Sequence, residues 1–209
     1  MTPDPNPVAT DPAIASIVRP AAWHTGTVTV VERESRLDVP LADAEVALRK
    51  QVESADVTAA VRTMYKQVGL DPTKTRPSSE ALLRRVRKGD PLPRINSLVD
   101  VINWCSVESQ LPFGLYDADR IQGAITLRLG GAGESYAGIR KDSVHVEGRL
   151  TLVDDVGPFG NPTSDSARTM VTSATVRALV VIYAPAPLSV GLVDRVVTLT
   201  AGRVHAFCQ

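Results

Sequence analysis

The sequence predicts an α+β fold: one domain in which a mixed or antiparallel sheet carries packed helices. Helical periodicity with capping signals is concentrated between residues 41 and 109, while short alternating segments punctuated by glycine dominate residues 124–185. The 209 residues have 44% hydrophobic content, which supports one core built mostly from Val, Leu, Ile and Ala because aromatics make up only 4%.

In chain order, residues 1–20 are rich in Pro, Asp and Thr and are expected as a loose extension, leaving 21–209 as the domain. Thr25–Glu32 alternates as a strand, and Leu41–Ser54 reads as a helix. From Asp56, a candidate cap, Val57, Ala60, Val61, Met64, Tyr65 and Val68 share one helical face that ends at Gly69. A short helix follows Pro77, with Ser78 or Ser79 and Glu80 as capping groups and Gly89 as its stop. Ile95–Ser109 is the central helix, with Ile95, Leu98, Val99, Ile102 and Cys105 at core spacing. Short strands are expected at 124–129 and within 144–155, then a polar loop at 157–169. Residues 175–185 are apolar on both faces, as a central strand requires. A C-terminal helix ending near Gly202 closes the core through Val190, Val193, Val197 and Leu199.

Composition removes several function classes. Lys plus Arg equals Asp plus Glu at 23 each, so an overall cationic coat is excluded and any polyanion must meet a local patch. Cys105 and Cys208 are far apart, and His24, His145 and His205 lack ligand spacing, so neither a disulfide framework nor a metal site is expected. No phosphate-cradling glycine loop and no G-x-S-x-G turn is present. No apolar run reaches the roughly 18 residues of a membrane span. The expectation is a cytoplasmic monomer without cofactor.

Candidate functional residues fall in separate groups. Asn96, Asp100 and Asn103 stack in one row of the central helix, flanked by Val101 and Trp104. Such enclosed polar groups need partners, either protein backbone or a polar ligand. Arg84, Arg85, Arg87 and Lys88, with Lys74 and Arg76 before them, form the densest positive patch, readable as a solvated helix face or as a phosphate-tracking surface. Glu134 lies in a glycine-rich turn. The 157–169 loop gathers Asn161, Thr163, Ser164, Asp165, Ser166, Arg168 and Thr169.

Taken together, PRINSLVDVINW, LPFGLYDADRIQG, the Glu134 turn and the Asp154–Asp155 loop resemble the tRNA-editing (B3/B4) domain of the phenylalanyl-tRNA synthetase beta subunit, most strongly over residues 80–184. Arg94, Asn96, Val99, Asp100 and Asn103 keep the order of R-P-x-N-N-x-V-D-x-T-N. Pro112, Phe113, Gly114, Leu115, Tyr116 and Asp117 match the segment like Q-P-L-H-A-F-D. The resemblance implies that fold and hydrolysis, in trans, of a wrong amino acid from the 3′ end of tRNA. Asn96, Asn103, Glu134, Thr163 and Asp165 are then the expected catalytic groups, and backbone amides of the 157–166 loop are further donors. Asp100, Gly114, Tyr116, Asp117, Asp154, Asn161, Ser164, Ser166 and Arg168 are the expected substrate-binding groups. Lys74, Arg76, Arg84, Arg85, Arg87 and Lys88 are the expected tRNA contacts. Gly114 stands where the synthetase motif has histidine, so a changed amino-acid preference is expected. The acids around the site point to a polar or cationic substrate, such as the arginine mimic canavanine. A non-catalytic RNA-binding module and an amino-acid-binding protein without RNA are the alternatives.

Overall fold

A computed structural model describes residues 6–50 and 55–209. Strand β10 (Ala178–Pro185) is buried at every position, as its two apolar faces require, and lies between β2 (Val18–His24) and β3 (Phe113–Asp117), antiparallel to both. A second sheet has the spatial order β1 (Val8–Thr10), β4 (Ile125–Leu129), β7 (Leu150–Asp154), β8 (Gly157–Asn161) and β9 (Ser164–Asp165). Its β1–β4 pair is parallel and the others are antiparallel, so the sheet is mixed. Strands β5 (Ser135–Gly138) and β6 (Lys141–His145) form a separate hairpin.

The N-terminal segment departs from expectation. Residues 8–24 are woven into both sheets through β1 and β2, and Asn6 Nδ2 donates to Pro20 O. Thr25–Glu32 is not a strand. Val28 and Val30 are buried, but the amides of Val28 and Thr29 bond to the carbonyls of Val176 and Cys208 outside any ladder.

Helix α1 spans Asp38–Lys50, and positions 51–54 of the expected helix lie outside the described residues. Helix α2 (Ala55–Gln67) buries Val57, Val61, Met64 and Tyr65, and Gly69 follows at φ +73°. Helix α3 (Ser78–Arg87) has Pro77 at its N-cap and no side-chain cap. Ser79 instead donates to Gln110 O and Glu80 pairs with Arg62, so tertiary partners take the groups expected to cap.

Helix α4 (Ser97–Ser109) packs against α3, β3 and α5 (Val190–Cys208). Leu98, Val101, Ile102, Cys105 and Val107 are buried, whereas Ile95 is exposed just before the helix. Helix α5 continues past Gly202 because Val204 and Cys208 are also buried. Val190 and Leu199 are exposed instead of closing the core. No helix of the described residues is long and apolar enough to cross a membrane.

The two sheets meet around Tyr116. Its hydroxyl lies 2.8 Å from that of Tyr183, and its ring meets Phe159 edge-on with centroids 5.0 Å apart. The backbones of Gly114 and Gly160 pass on either side, leaving no room for a Cβ.

Candidate active-site cleft and its cationic approach

A cleft of about 410 Å³ opens between α4 and the β8–β9 hairpin, the juxtaposition on which the candidate site depends. Asn96, Val99, Ile102 and Asn103 line one wall, and Thr163, Ser164 and Asp165 line the other. Phe113 and Leu115 from β3, with Met170 and Val171, make it largely apolar. The β5–β6 hairpin contributes Gly138, Ile139, Arg140 and Val144.

The polar row of α4 divides by role. Asn96 is the N-cap: its Oδ1 accepts from Val99 N at 2.9 Å. Its Nδ2 and the whole Asn103 amide make no hydrogen bond to the described residues, so both can donate into the cleft. Asp100 has no such freedom. Its carboxylate accepts from Arg94 Nε and Ile95 N, each at 2.7 Å, and it does not line the cleft.

The loop residues divide in the same way. Asn161 is buried, donates to the Tyr136 hydroxyl, and accepts from Thr163 N, Thr163 Oγ1 and Ser164 N. These bonds consume the Thr163 and Ser164 amides that the sequence offered to a substrate carbonyl. Ser166 N bonds to Phe159 O, and the Ser166 hydroxyl is engaged with Thr169. Asn161 and Ser166 therefore hold the loop in shape and lie outside the cleft.

Other expected site residues are committed elsewhere. Asp154 pairs with Arg168 through two 2.9 Å bonds and also accepts from the amides of Gln122, Val156 and Gly157. Asp117 accepts from Asp119 N and Thr175 Oγ1. Glu134 is clasped by Arg128 at 2.8 Å and 2.8 Å and by Gly131 N, which holds its carboxyl down at about 2. Gly114 and Tyr116 fall on the face of β3 opposite Phe113 and Leu115, as strand pleating dictates, and that face is the intersheet seam.

Burial alone would raise the pKa of Asp154, but the Arg168 guanidinium and then the Gln122 amide hold it below the usual carboxylate range. With the folded value below the unfolded value of about 3.9, Asp154 stabilises the fold above that pH, and its contribution is lost as acid protonates it. Asp154→Asn is expected to lower the melting temperature near neutrality and to shrink its further fall under acid, measured by thermal melts between about pH 7 and pH 2.

The cationic residues form a path that begins at the cleft. A groove of about 410 Å³ shares Val144, Thr163 and Ser164 with the cleft and is lined by Lys74, Arg76, His145 and Arg149. Arg76 also lines a neighbouring hollow of about 300 Å³ with Arg84, Arg87 and Lys88. Arg85 points elsewhere, donating to Pro91 O at 2.6 Å behind the helix end. Arg140, His145 and Arg149 could not be picked out in sequence because they are scattered along β6 and its flanks and form no run. Among the described residues no cluster of His, Cys, Asp or Glu has the make-up of a metal site.

The chain is similar to known proteins in three comparisons. The phenylalanine–tRNA ligase beta subunit of Chromobacterium violaceum is 32% identical over 80 residues, which is 38% of this chain and 10% of that protein. The chain thus spans about a tenth of the length of that curated relative. A crystal structure of an N-terminal fragment of the phenylalanyl-tRNA synthetase beta subunit from Pyrococcus horikoshii aligns over 95% of this chain and 48% of its own, with 12% identity and a TM-score of 0.48. The model of the B3/4 domain matches residues 60–204, a span that runs from α2 to the last turns of α5 and takes in both walls of the cleft; the chain belongs to the B3/4 domain family.

Proposed function

We propose that the cleft hydrolyses the ester joining an amino acid to the 3′ end of a mischarged tRNA, acting in trans. The observation that carries this reading is the continuity of the Asn96 and Asn103 cleft with the Lys74, Arg76 and Arg149 groove. The amino acid occupies the cleft while phosphates follow the groove. An aminoacyl ester is already activated, so it needs an oriented water and donors for the developing oxyanion more than a protein nucleophile. The amides of Asn96 and Asn103 are the donors available, and the ribose hydroxyl beside the ester supplies another polar group. Val99, Ile102, Phe113 and Leu115 limit bulk water around the reacting carbonyl.

The test is a panel of tRNAs mischarged beforehand, with ester loss followed against a buffer control. At least one is expected to be deacylated by the wild-type protein, and Asn103→Ala is expected to slow that reaction by about 10²-fold, the usual cost of one oxyanion donor. Inactivity on every member contradicts the proposal. It would favour a non-catalytic RNA-binding module, the reading consistent with the loop amides being spent on Asn161.

The groove makes its own expectation. Arg76→Ala combined with Arg149→Ala should weaken tRNA binding and lower its salt slope by roughly 0.7 for each single-strand phosphate no longer neutralised. Arg85→Ala should leave both unchanged, because that side chain is turned to Pro91. Electrophoretic mobility shifts across a salt series check both variants.

A further inference from the structure

We infer that Asp165 is the cation receptor of the cleft, taking an ammonium or guanidinium group of the bound ligand on its carboxylate. The inference rests on the cleft being the seat of ester hydrolysis, and it adds the chemical class of the group that the cleft selects.

Asp165 lines the cleft, yet its Oδ1 is enclosed and has no hydrogen-bond partner among the described residues. The neighbouring tyrosine hydroxyls leave one proton at most for it. Tyr136 donates to Ser164 O and accepts from Asn161 Nδ2. One proton of the Tyr116–Tyr183 pair is used in their mutual 2.8 Å bond, leaving a single proton for the carboxyl from that side. A carboxylate with one unmatched, enclosed oxygen, in a cleft that apolar Phe113, Leu115 and Val171 also line, is costly when the cleft is empty and strongly attractive to a cation that fills it.

The charges around it fit a ligand with ends of opposite sign. Tyr116, Tyr183 and Tyr136 face Asp165 from β3, β10 and β5, and α4 offers only the uncharged Asn96 and Asn103. The cation that lines the cleft, Arg140, is exposed and suits a phosphate outside the ester. Burial pushes the Asp165 carboxyl up to about 7, and the Tyr116 hydroxyl pulls it only partly back. Binding of a cation therefore requires the deprotonated form and must strengthen as pH rises through neutrality.

Calorimetric titration of the full chain with three stable probes tests this. Nα-acetylarginine amide carries only a side-chain cation, norleucine amide only an α-ammonium, and N-acetylnorleucine amide neither. At least one cationic probe is expected to bind about tenfold or more tighter than the neutral one, an advantage that fades below about pH 7 and vanishes in Asp165→Asn. Whichever cation carries the advantage identifies the end of the amino acid that Asp165 holds. Equal binding of all three probes, or a cation advantage that survives Asp165→Asn, overturns the inference. Asn has nearly the shape of Asp, and a thermal melt checks that the variant folds; if it does not, the wild-type pH profile decides alone. Cation selection in a protein that never deacylates tRNA would remove the hydrolytic reading alone, whereas deacylation without cation selection would remove this inference alone.

Discussion

Gly114→Ala is expected to cost the protein much of its folding stability, and Gly160→Ala to do the same. A Cβ on Gly114 would stand 2.4 Å from the Tyr116 hydroxyl oxygen, and one on Gly160 would stand 2.3 Å from it. A ring tip can often swing away, but this one cannot. Tyr116 has no solvent exposure, bonds to Tyr183 and packs against Phe159 in the seam between the sheets. Overpacking of a filled core costs about 1–3 kcal/mol and occasionally more, and here the intruding atom lies far inside contact distance. Urea denaturation should show a large fall in midpoint for either variant, and Gly114→Ala combined with Tyr116→Leu should recover part of it. Histidine at 114, as in the synthetase motif, is expected to unfold this chain instead of restoring a synthetase-like site.

Asp100→Ala should also be strongly destabilising, for an electrostatic reason. Arg94 is held by Asp100 at 2.7 Å, by Asp38 at 2.7 Å and by Glu34 O at 3.0 Å. Asp100 is itself unexposed, and its other oxygen fixes Ile95 N. Removing one partner of a fully buried pair costs about 3–5 kcal/mol because the remaining charge is left uncompensated, and the part-buried Arg94 sets that as an upper bound here. Arg94 also keeps Asp38, so the expected loss is about 3 kcal/mol or less, with the loss of the bond to Ile95 N included. The same substitution releases the turn that presents Asn96, so deacylation should fall along with stability, as denaturation and rate measurements on one preparation can show.

The helices are legible because their burial follows a simple period, and the central strand because it is apolar without a break. Sequence spacing also stacked Asn96, Asp100 and Asn103 in one row. It could not assign one to the helix cap, one to Arg94 and one to the cleft, since those roles depend on the backbone leading into α4 and on β3. The acids show the limit most clearly. Glu134, Asp117 and Asp154 looked available in sequence, but Arg128, Thr175 and Arg168 reach them across turns and strands. Asp165 alone among them lines the cleft.

Strand parity accounts for another part of the gap. The motif LPFGLYD supplied the right strand, but the walls of the cleft are Phe113 and Leu115, while Gly114 and Tyr116 serve the seam on the other face. The N-terminal segment reads as loose in sequence because it is rich in Pro, Asp and Thr. Its order comes from partners far along the chain, with Val8 opposite Ile125 and Val18 opposite Pro185.

The central claim is that the amino acid of the ester sits in the cleft between α4 and the β8–β9 hairpin. Val99→Trp tests it most directly, because Val99 is a half-buried wall residue and an indole there fills the space without touching the groove. Single-turnover deacylation of the tRNA found most active in the panel is the measurement, with tRNA affinity measured in parallel. Ester loss is expected to fall to the buffer rate while the affinity of the groove is kept; deacylation at the wild-type rate by a folded Val99→Trp protein would contradict that placement of the amino acid.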